Sequence, residues 1–435
     1  MKKTGFSRRR FISGMLGAGV LRENLGTKRI PVAKTEPPKI KEYRTLGRTG
    51  FKVSDIGCGP PLIQEPTLLR AILDSGVNFI DAAEAYGKAN ERMIGQVIQG
   101  YDRKSLFITH MIMIKKQESE AQIIAKAKQS MQRMQTEYVD CLMLHNALAK
   151  KEIKNEEFHK AAAKLKSEGW VKTIGVSCHG ASWHNTPEDS MEAILGTAIE
   201  DGRYDLFLLV YNYVQQDEGK RILRACREKN IGTTLMKTDP FGGFSVGILD
   251  RAKTMRSEEE EVPAWLLSVE EKFKKKREAA KPFLDKVNAV SERQVREAAI
   301  RFVLSDEDAH STLISFKNFE DIDRYVGLSG SRLTTPEQQM LAAYTRDYGE
   351  LYCRHACGKC EPYCPHGVPI NTIMRFNHYF VAQHREKYAM QEYAALDRPN
   401  ADLCQDCPGY CQRHCPYGVQ IHALLNIAHT NLTLV

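Results

Sequence analysis

The stretch LDSGVNFIDAA (residues 73–83) runs from a polar helix end through a glycine into an apolar run. Gly76 suits the left-handed conformation that closes a helix ahead of a strand. The same join recurs at KSEGWVKTIGVS (166–177) through Gly169 and at REKNIGTTLMK (227–237) through Asn230. Working outward from these joins, the strand candidates are KVSDIG (52–57), VNFID (77–81), LFITH (106–110), VDCLMLH (139–145), KTIGVS (172–177), DLFLLVY (205–211), GTTLMK (232–237) and STLIS (311–315). Most are continuous apolar runs, the pattern of strands buried on both faces of a parallel sheet. Thr186–Pro187 and the Ser291/Gln294 pair mark helix starts between them. Eight strands alternating with helices predict an α/β fold, a (β/α)8 TIM barrel rather than an open sheet. The long gap between Lys237 and Ser311 holds a charged stretch, 252–286, and reads as an insertion with its own helix near 243–290.

Barrel sites form at the C-terminal ends of strands. The residues closing these strands are Asp81, His110, His145, Ser177, Tyr211, Lys237 and Ser315. YRTLGRTGFKVSDIGCG (43–59), NFIDAAEAYGKANERMIGQVI (78–98), SMQRMQTEYVDCLMLH (130–145) and KTIGVSCHG (172–180) resemble successive signatures of the aldo/keto reductase superfamily, through most of residues 43–328. The resemblance implies hydride transfer between NAD(P)H and a carbonyl or alcohol, with an Asp, Tyr, Lys, His tetrad. It assigns the Asp to Asp81, the Tyr to Tyr86 and the His to His145. A phenol of pKa near 10 protonates an alkoxide only when a neighbouring cation eases its proton loss. At the expected place of the lysine, in LFITHMIM, stands His110. A cationic His110 paired with Asp81 would polarise Tyr86, whereas a neutral one would only hydrogen-bond it.

On the cofactor side, the resemblance matches Ser177 to the residue that contacts the nicotinamide amide and Tyr211 to an aromatic stacked on the nicotinamide ring. Cys178 stands where many such reductases have Asn, and His179 follows it. LISFKNFEDIDRY (313–325) lies where the family binds the adenosine phosphate, and Ser315, Lys317 and Lys237 are candidates to meet phosphates.

Eight of the twelve cysteines lie after residue 350. They form two sets, CRHACGKCEPYCPHGVPI from Cys353 and CQDCPGYCQRHCPYGVQI from Cys404, with the shared ending Cys-Pro-x-Gly-Val-x-Ile. Three chemistries compete for them. Zinc takes four thiolates, usually from two separated Cys-x2-Cys knuckles. Disulfides would close strained short loops at this spacing. Iron–sulfur clusters take several thiolates from a short wrapped backbone and one from elsewhere, and a closing Cys-Pro marks the bacterial two-cluster run. Two [4Fe–4S] clusters are the expectation. By resemblance to two-cluster ferredoxins, one takes Cys353, Cys357, Cys360 and the remote Cys415, and the other takes Cys404, Cys407, Cys411 and the remote Cys364. One gap in each set, Cys353 to Cys357 and Cys407 to Cys411, departs from the usual spacing. The segment 370–395 between the sets reads as helical, its aromatics as core, so residues 336–435 are expected to be a small, mainly helical ferredoxin-like domain after a barrel at 43–335. A barrel with such a tail resembles the iron–sulfur branch of the aldo/keto reductases.

The N-terminus, MKKTGFSRRRFISGMLGAGVL, resembles a twin-arginine export signal, an address for proteins that cross a membrane already folded. Its alternative is a disordered basic tail. Residues 1–42 are thus read as signal-like segment and linker, with a periplasmic location expected and a cytoplasmic one as the alternative. A hydrophobic content of 42%, a charged content of 27% and the lack of any apolar run near the ~20 residues that span a bilayer argue against an integral membrane protein. The net charge of +8 is spread along the chain, and its densest run, KFKKKREAAK (272–281), is interleaved with Glu and Ala. That is a solvated helix face and not a nucleic-acid site. The sequence therefore points to an oxidoreductase acting on a small carbonyl or alcohol, served by a redox partner protein and the twin-arginine machinery. The rival reading is a non-catalytic electron-transfer or docking protein built on a degenerate barrel.

Overall fold

A computed structural model describes residues 37–433 apart from 60–62, 64, 116, 180–187, 241–266, 268–270, 272–274, 276–291, 356, 382, 384, 397 and 398. The signal-like segment, the Thr186–Pro187 helix start and nearly all of the expected insertion lie outside the described residues.

The run KVSDIG, expected as one strand, is two. Strand β1 (Tyr43–Thr45) pairs antiparallel with β2 (Lys52–Ser54), and the chain turns at Asp55 into β3 (Ile56–Cys58). Asp55 is fully buried at this corner because its carboxylate accepts from Ser329 Oγ at 2.7 Å and from the Gly330 amide at 2.7 Å. Strands β4 (Phe79–Ala83), β5 (Phe107–Ile112), β6 (Val139–Leu144), β7 (Val171–Cys178), β8 (Leu206–Val210), β9 (Gly232–Met236) and β10 (Ser311–Ile314) follow. With β3 they close a parallel barrel in the order β10-β3-β4-β5-β6-β7-β8-β9. The other seven expected strands are all present. Around them run α1 (Pro66–Asp74), α2 (Lys88–Ile98), α3 (Glu120–Arg133), α4 (Lys150–Ile153), α5 (Glu156–Ser167), α6 (Met191–Asp201), α7 (Gln216–Glu228), α8 (Glu292–Leu304) and α9 (Phe319–Val326). Side-chain caps start several of them, including a capping box of Ser119 with Gln122 on α3.

The β1–β2 hairpin closes the N-terminal end of the barrel, opposite the strand-end residues. Its turn is anchored by the Arg48 amide on Asn230 O at 2.7 Å, two residues ahead of the chain's entry into β9. Arg44 fastens the hairpin to the far side: it donates to Leu304 O at 2.6 Å, Asp306 O at 3.0 Å, Ala309 O and the Glu42 carboxylate at 2.8 Å. Arg44→Ala strips several buried acceptors of their donor at once, so it is expected to cost about 2–4 kcal/mol. A urea midpoint lowered without a change in slope would register that loss, and an unmoved midpoint would refute it.

Beyond the barrel, α10 (Thr335–Tyr348) leads to α11 (Ile370–Val381), α12 (Glu386–Ala394) and α13 (Ile421–Leu432). The stretch expected as helical over 370–395 breaks at Arg385, the N-cap of α12, whose amide bonds Tyr379 O at 3.1 Å. A second apolar core forms here from Phe376, Leu424, Leu425 and Ile427, and it takes in Tyr213, Val295, Ala298 and Ala299 of the barrel portion. The tail is therefore packed onto α8 rather than tethered beside it.

Candidate active site and cysteine quartets

Asp81 comes from the mouth of β4 and Tyr86 from the turn after it, at residues 84–86. The Tyr86 hydroxyl donates to Asp81 Oδ2 at 3.2 Å, and Thr109 Oγ1 donates to Asp81 Oδ1 at 2.7 Å. Burial pushes the Asp81 carboxyl up to about 7, against the pull of these two bonds. Burial, followed by the Asp81 charge, drives the Tyr86 phenol well above its usual value. On β6 the His145 amide bonds Ile112 O at 2.9 Å, and burial draws its imidazole down to about 4, keeping it neutral near pH 7. The His179 ring stands 5.1 Å from that of His145. Lys237 closes β9 with φ 58°, and its ammonium donates to His179 O at 2.6 Å. Burial, then the nearby Arg375 charge, lowers the affinity of Lys237 for its proton.

Asp81, Tyr86, His145, His179 and Lys237 line one cavity of about 570 Å³, together with Ser315 and Lys317 on the β10 side. The tail contributes to the lining as well: His378, Tyr379, Arg385 and Tyr388 border the same space. Asn146, after β6 in the left-handed conformation at φ 56°, lines it too, and its Oδ1 accepts from the His179 amide at 3.2 Å. None of these five residues was singled out as a site residue from the sequence. Asn146 sits directly after a strand-end histidine, which is a local signal. The tail residues have no local signal, since tertiary packing alone brings them to the barrel mouth.

Strand alternation decides which of the other candidates reach the cavity. On β5, Thr109 faces Asp81, and Met113, two pleats on, lines the cavity. His110 faces the other way. Its Nε2 lies 3.1 Å from Glu91 Oε1 of α2, and Glu91 also accepts from Arg133 of α3. Burial alone would raise the Glu91 carboxyl, yet its bonds to His110 and Arg133 bring it below the usual range. The expected pairing of His110 with Asp81 is thus replaced by one with Glu91, and the lumen position beside it belongs to the fully buried Met111. On β8, Leu208 lines the cavity, so Tyr211 points outward. Its hydroxyl donates to Asp306 Oδ2 at 2.8 Å and its ring packs on Gly219 and Phe302, not at the barrel mouth. Ser177 shares a face with His179, but its hydroxyl accepts from the Asn146 amide at 2.7 Å. Cys178 lies on the opposite face, fully buried, its thiol 3.6 Å from Ala147 O. Asp81, Tyr86, His145, His179, Lys237, Ser315 and Lys317 are brought together; His110, Ser177, Cys178 and Tyr211 are not.

In the tail the thiols fall into two groups. Burial pushes Cys353 up to about 12, with Cys357 and Cys415 adding to it, and Cys360 in turn feels Cys353, Cys411 and Cys415. Burial likewise raises Cys404 to about 12 and Cys411 to about 11, each reinforced by Cys364 and Cys407. The two Cys-Pro endings share the same local geometry. The Tyr363 and His414 rings, each preceding the last cysteine of its set, stack at 3.5 Å and 3°. Gly367 and Gly418 follow at φ 63° and 64°, and Ile370 and Ile421 open α11 and α13. Donors reach sulfur directly: Asn371 Nδ2 to Cys353 Sγ at 3.1 Å, the Val368 amide to Cys364 Sγ at 3.4 Å and the Gly409 amide to Cys407 Sγ at 3.4 Å. Among the described residues no three His, Cys, Asp or Glu side chains converge as a site for a single metal ion, and the described cysteines form no disulfide.

A parallel eight-stranded barrel with an acid, a phenol and a neutral imidazole at the C-terminal ends of its strands has the layout of a barrel oxidoreductase. The chain belongs to the aldo/keto reductase family, matching it over residues 64–344. It is 24% identical to aldo-keto reductase YhdN of Bacillus subtilis (strain 168) over 327 residues, covering 68% of this chain and 92% of that protein. It is 34% identical to methylglyoxal reductase DkgB of Escherichia coli O157:H7 over 111 residues, 25% of this chain and 40% of that protein. Among solved structures, the holo form of aldo-keto reductase AKR11C1 from Bacillus halodurans aligns with a TM-score of 0.49 at 17% identity, covering 69% of this chain and 95% of that one. The family match ends before Cys353, so both cysteine sets lie beyond it.

Proposed function

We propose that the protein is an iron–sulfur oxidoreductase of aldo/keto reductase type, acting on a small carbonyl or alcohol at the barrel mouth and exchanging electrons with a redox partner through the tail. One observation carries this reading: a single face of α11 runs from the first cysteine quartet to the cavity. Asn371 donates to Cys353 Sγ, Arg375 donates to Cys353 O at 3.5 Å and to His355 Nδ1 at 3.2 Å, and His378 lines the cavity. Their spacing, i, i+4 and i+7, is that of one helix stripe.

Cys353, Cys357, Cys360 and Cys415 would hold one [4Fe–4S] cluster and Cys404, Cys407, Cys411 and Cys364 the other, and nicotinamide dinucleotide would be met by His179, Ser315 and Lys317. Bound there, the clusters supply one-electron transfer and the dinucleotide supplies hydride. The chain's own part is the proton. Tyr86 delivers its phenolic proton to the substrate oxygen and recovers one from Asp81, whose carboxyl burial pushes up to about 7. Neutral His145 hydrogen-bonds the same oxygen without adding charge. The twin-arginine-like N-terminus supports export in the folded state, with clusters already assembled, to a periplasmic location.

The test is anaerobic purification with iron and sulfide counting, then addition of NADPH and NADH while the visible absorbance and the EPR of reduced clusters are followed. Cluster reduction by either nucleotide supports the coupled enzyme, and Tyr86→Phe is then expected to lower turnover by about 10²–10⁴-fold with the cluster spectrum unchanged. Intact clusters that ignore both nucleotides favour a donor protein instead. The rival reading, a docking or electron-transfer protein without catalysis, draws on one feature: Tyr211, expected to stack on nicotinamide, is turned into the core.

A further inference from the structure

Among the described residues, the barrel strands bring no cation into hydrogen-bond contact with Tyr86. On the lumen side of β5 stand Thr109, Met111 and Met113, while His110 turns to Glu91 behind the strand. Of the other basic groups lining the cavity, Arg296 is paired with the Asp239 carboxylate at 2.8 Å, and Lys237, whose hold on its proton burial weakens, is turned to His179 O at 2.6 Å. Lys317 lies on the β10 side. A phenol next to a carboxylate in a buried site needs a positive charge if it is to give up a proton.

Resting on the reading of the cavity as a carbonyl-reducing site, we propose that Arg385 of the tail supplies the positive charge to Tyr86, so that the cysteine-bearing segment completes the reductase site. Its backbone is fixed where α11 ends and α12 begins, through its amide on Tyr379 O at 3.1 Å. Its guanidinium lies 4.0 Å from the Tyr388 ring centre and 5.6 Å from that of Tyr379, and all three residues line the cavity with Tyr86. Stacking on two aromatic faces holds a guanidinium in place while preserving its charge. Burial, Asp81 of β4 and then Tyr379 of α11 raise the pKa of the Tyr86 phenol, and Arg385, with a smaller effect, lowers it. Arg385 acts through Tyr86 and is a positioning residue, not a catalytic one.

The test uses the full-length protein with Arg385→Gln and Arg385→Lys. A fluorinated tyrosine incorporated at position 86 brings the phenol titration into an accessible range and is read by absorbance without any turnover. Arg385→Gln is expected to raise that pKa by about one unit, equivalent to about a tenfold change in ionisation, and Arg385→Lys to restore most of it. With 4-nitrobenzaldehyde and NADPH, kcat is expected to fall about tenfold in the Gln variant, with KM within about threefold and partial recovery in Lys. An unmoved phenol pKa in Arg385→Gln overturns the proposal, as does a Lys variant no better than Gln. If the parent protein reduces no aldehyde, the carbonyl-reduction reading falls, while the titration still decides whether Arg385 charges Tyr86.

Discussion

At pH 8 the Asp81→Asn variant is expected to melt above the parent protein while reducing no carbonyl. Asp81 is buried and has Thr109 and Tyr86 as hydrogen-bond donors, and among the described residues no cation bonds its carboxylate. Its carboxyl titrates near 7 in the folded chain against an ordinary value of 3.8, and burial is the cause. A carboxyl whose folded pKa is raised binds more protons folded than unfolded between those two values, so stability falls as pH rises through the window and the full penalty is present above it. At about 1.4 kcal/mol per pKa unit, the penalty at pH 8 is on the order of 2–4 kcal/mol once local relaxation is allowed. Asparagine keeps an acceptor for Thr109 and offers its amide to Tyr86 without the charge. The gain in melting temperature is therefore expected to be largest at pH 8 and to vanish toward pH 4, which thermal melts at several pH values would record. A variant that melts lower at pH 8 would mean that a cation holds Asp81 ionised, and the proton would then have to reach Tyr86 by another route.

Exchanging the last cysteine between sets has the second large effect. Cys415→Ala and Cys364→Ala are each expected to remove about half of the iron, and the informative result lies in the pairs. If Cys415 completes the first quartet, Cys353→Ala with Cys415→Ala loses no more iron than either alone, whereas Cys404→Ala with Cys415→Ala loses nearly all of it. If each set instead closed on its own Cys-Pro cysteine, the non-additive pair would be Cys353→Ala with Cys364→Ala. Non-additivity within a shared site and additivity between separate sites is the general rule. Iron and sulfide analysis with EPR of the reduced protein distinguishes the patterns, and recovery of zinc in place of iron would reject clusters altogether.

The barrel was legible in the sequence because strands buried on both faces write themselves as unbroken apolar runs. The exception, KVSDIG, contains an aspartate whose buried partners, Ser329 and Gly330, lie far along the chain. The candidate site was half legible for a related reason. A strand end names a level in the barrel but not a face, and the pleat sends His110, Cys178 and Tyr211 away from the level-mates that reach the cavity. The paired Cys-Pro endings, by contrast, carried their own local symmetry. Arg385, Tyr379 and Tyr388 were illegible as site residues, since a helical segment rich in aromatics reads as core until the surface it covers is known.

The apolar core shared by α8 and the tail has a consequence for how this protein can change. Val295, Ala298 and Ala299 share an apolar core with residues of the cysteine-bearing segment, and part of the cavity lining comes from the same segment. The two halves are thus not an enzyme and an accessory. A lineage that shed the tail would inherit an exposed greasy seam and a gaping mouth, and one that remodelled the barrel's α8 would disturb the thiol scaffold. Neither half is free to drift alone.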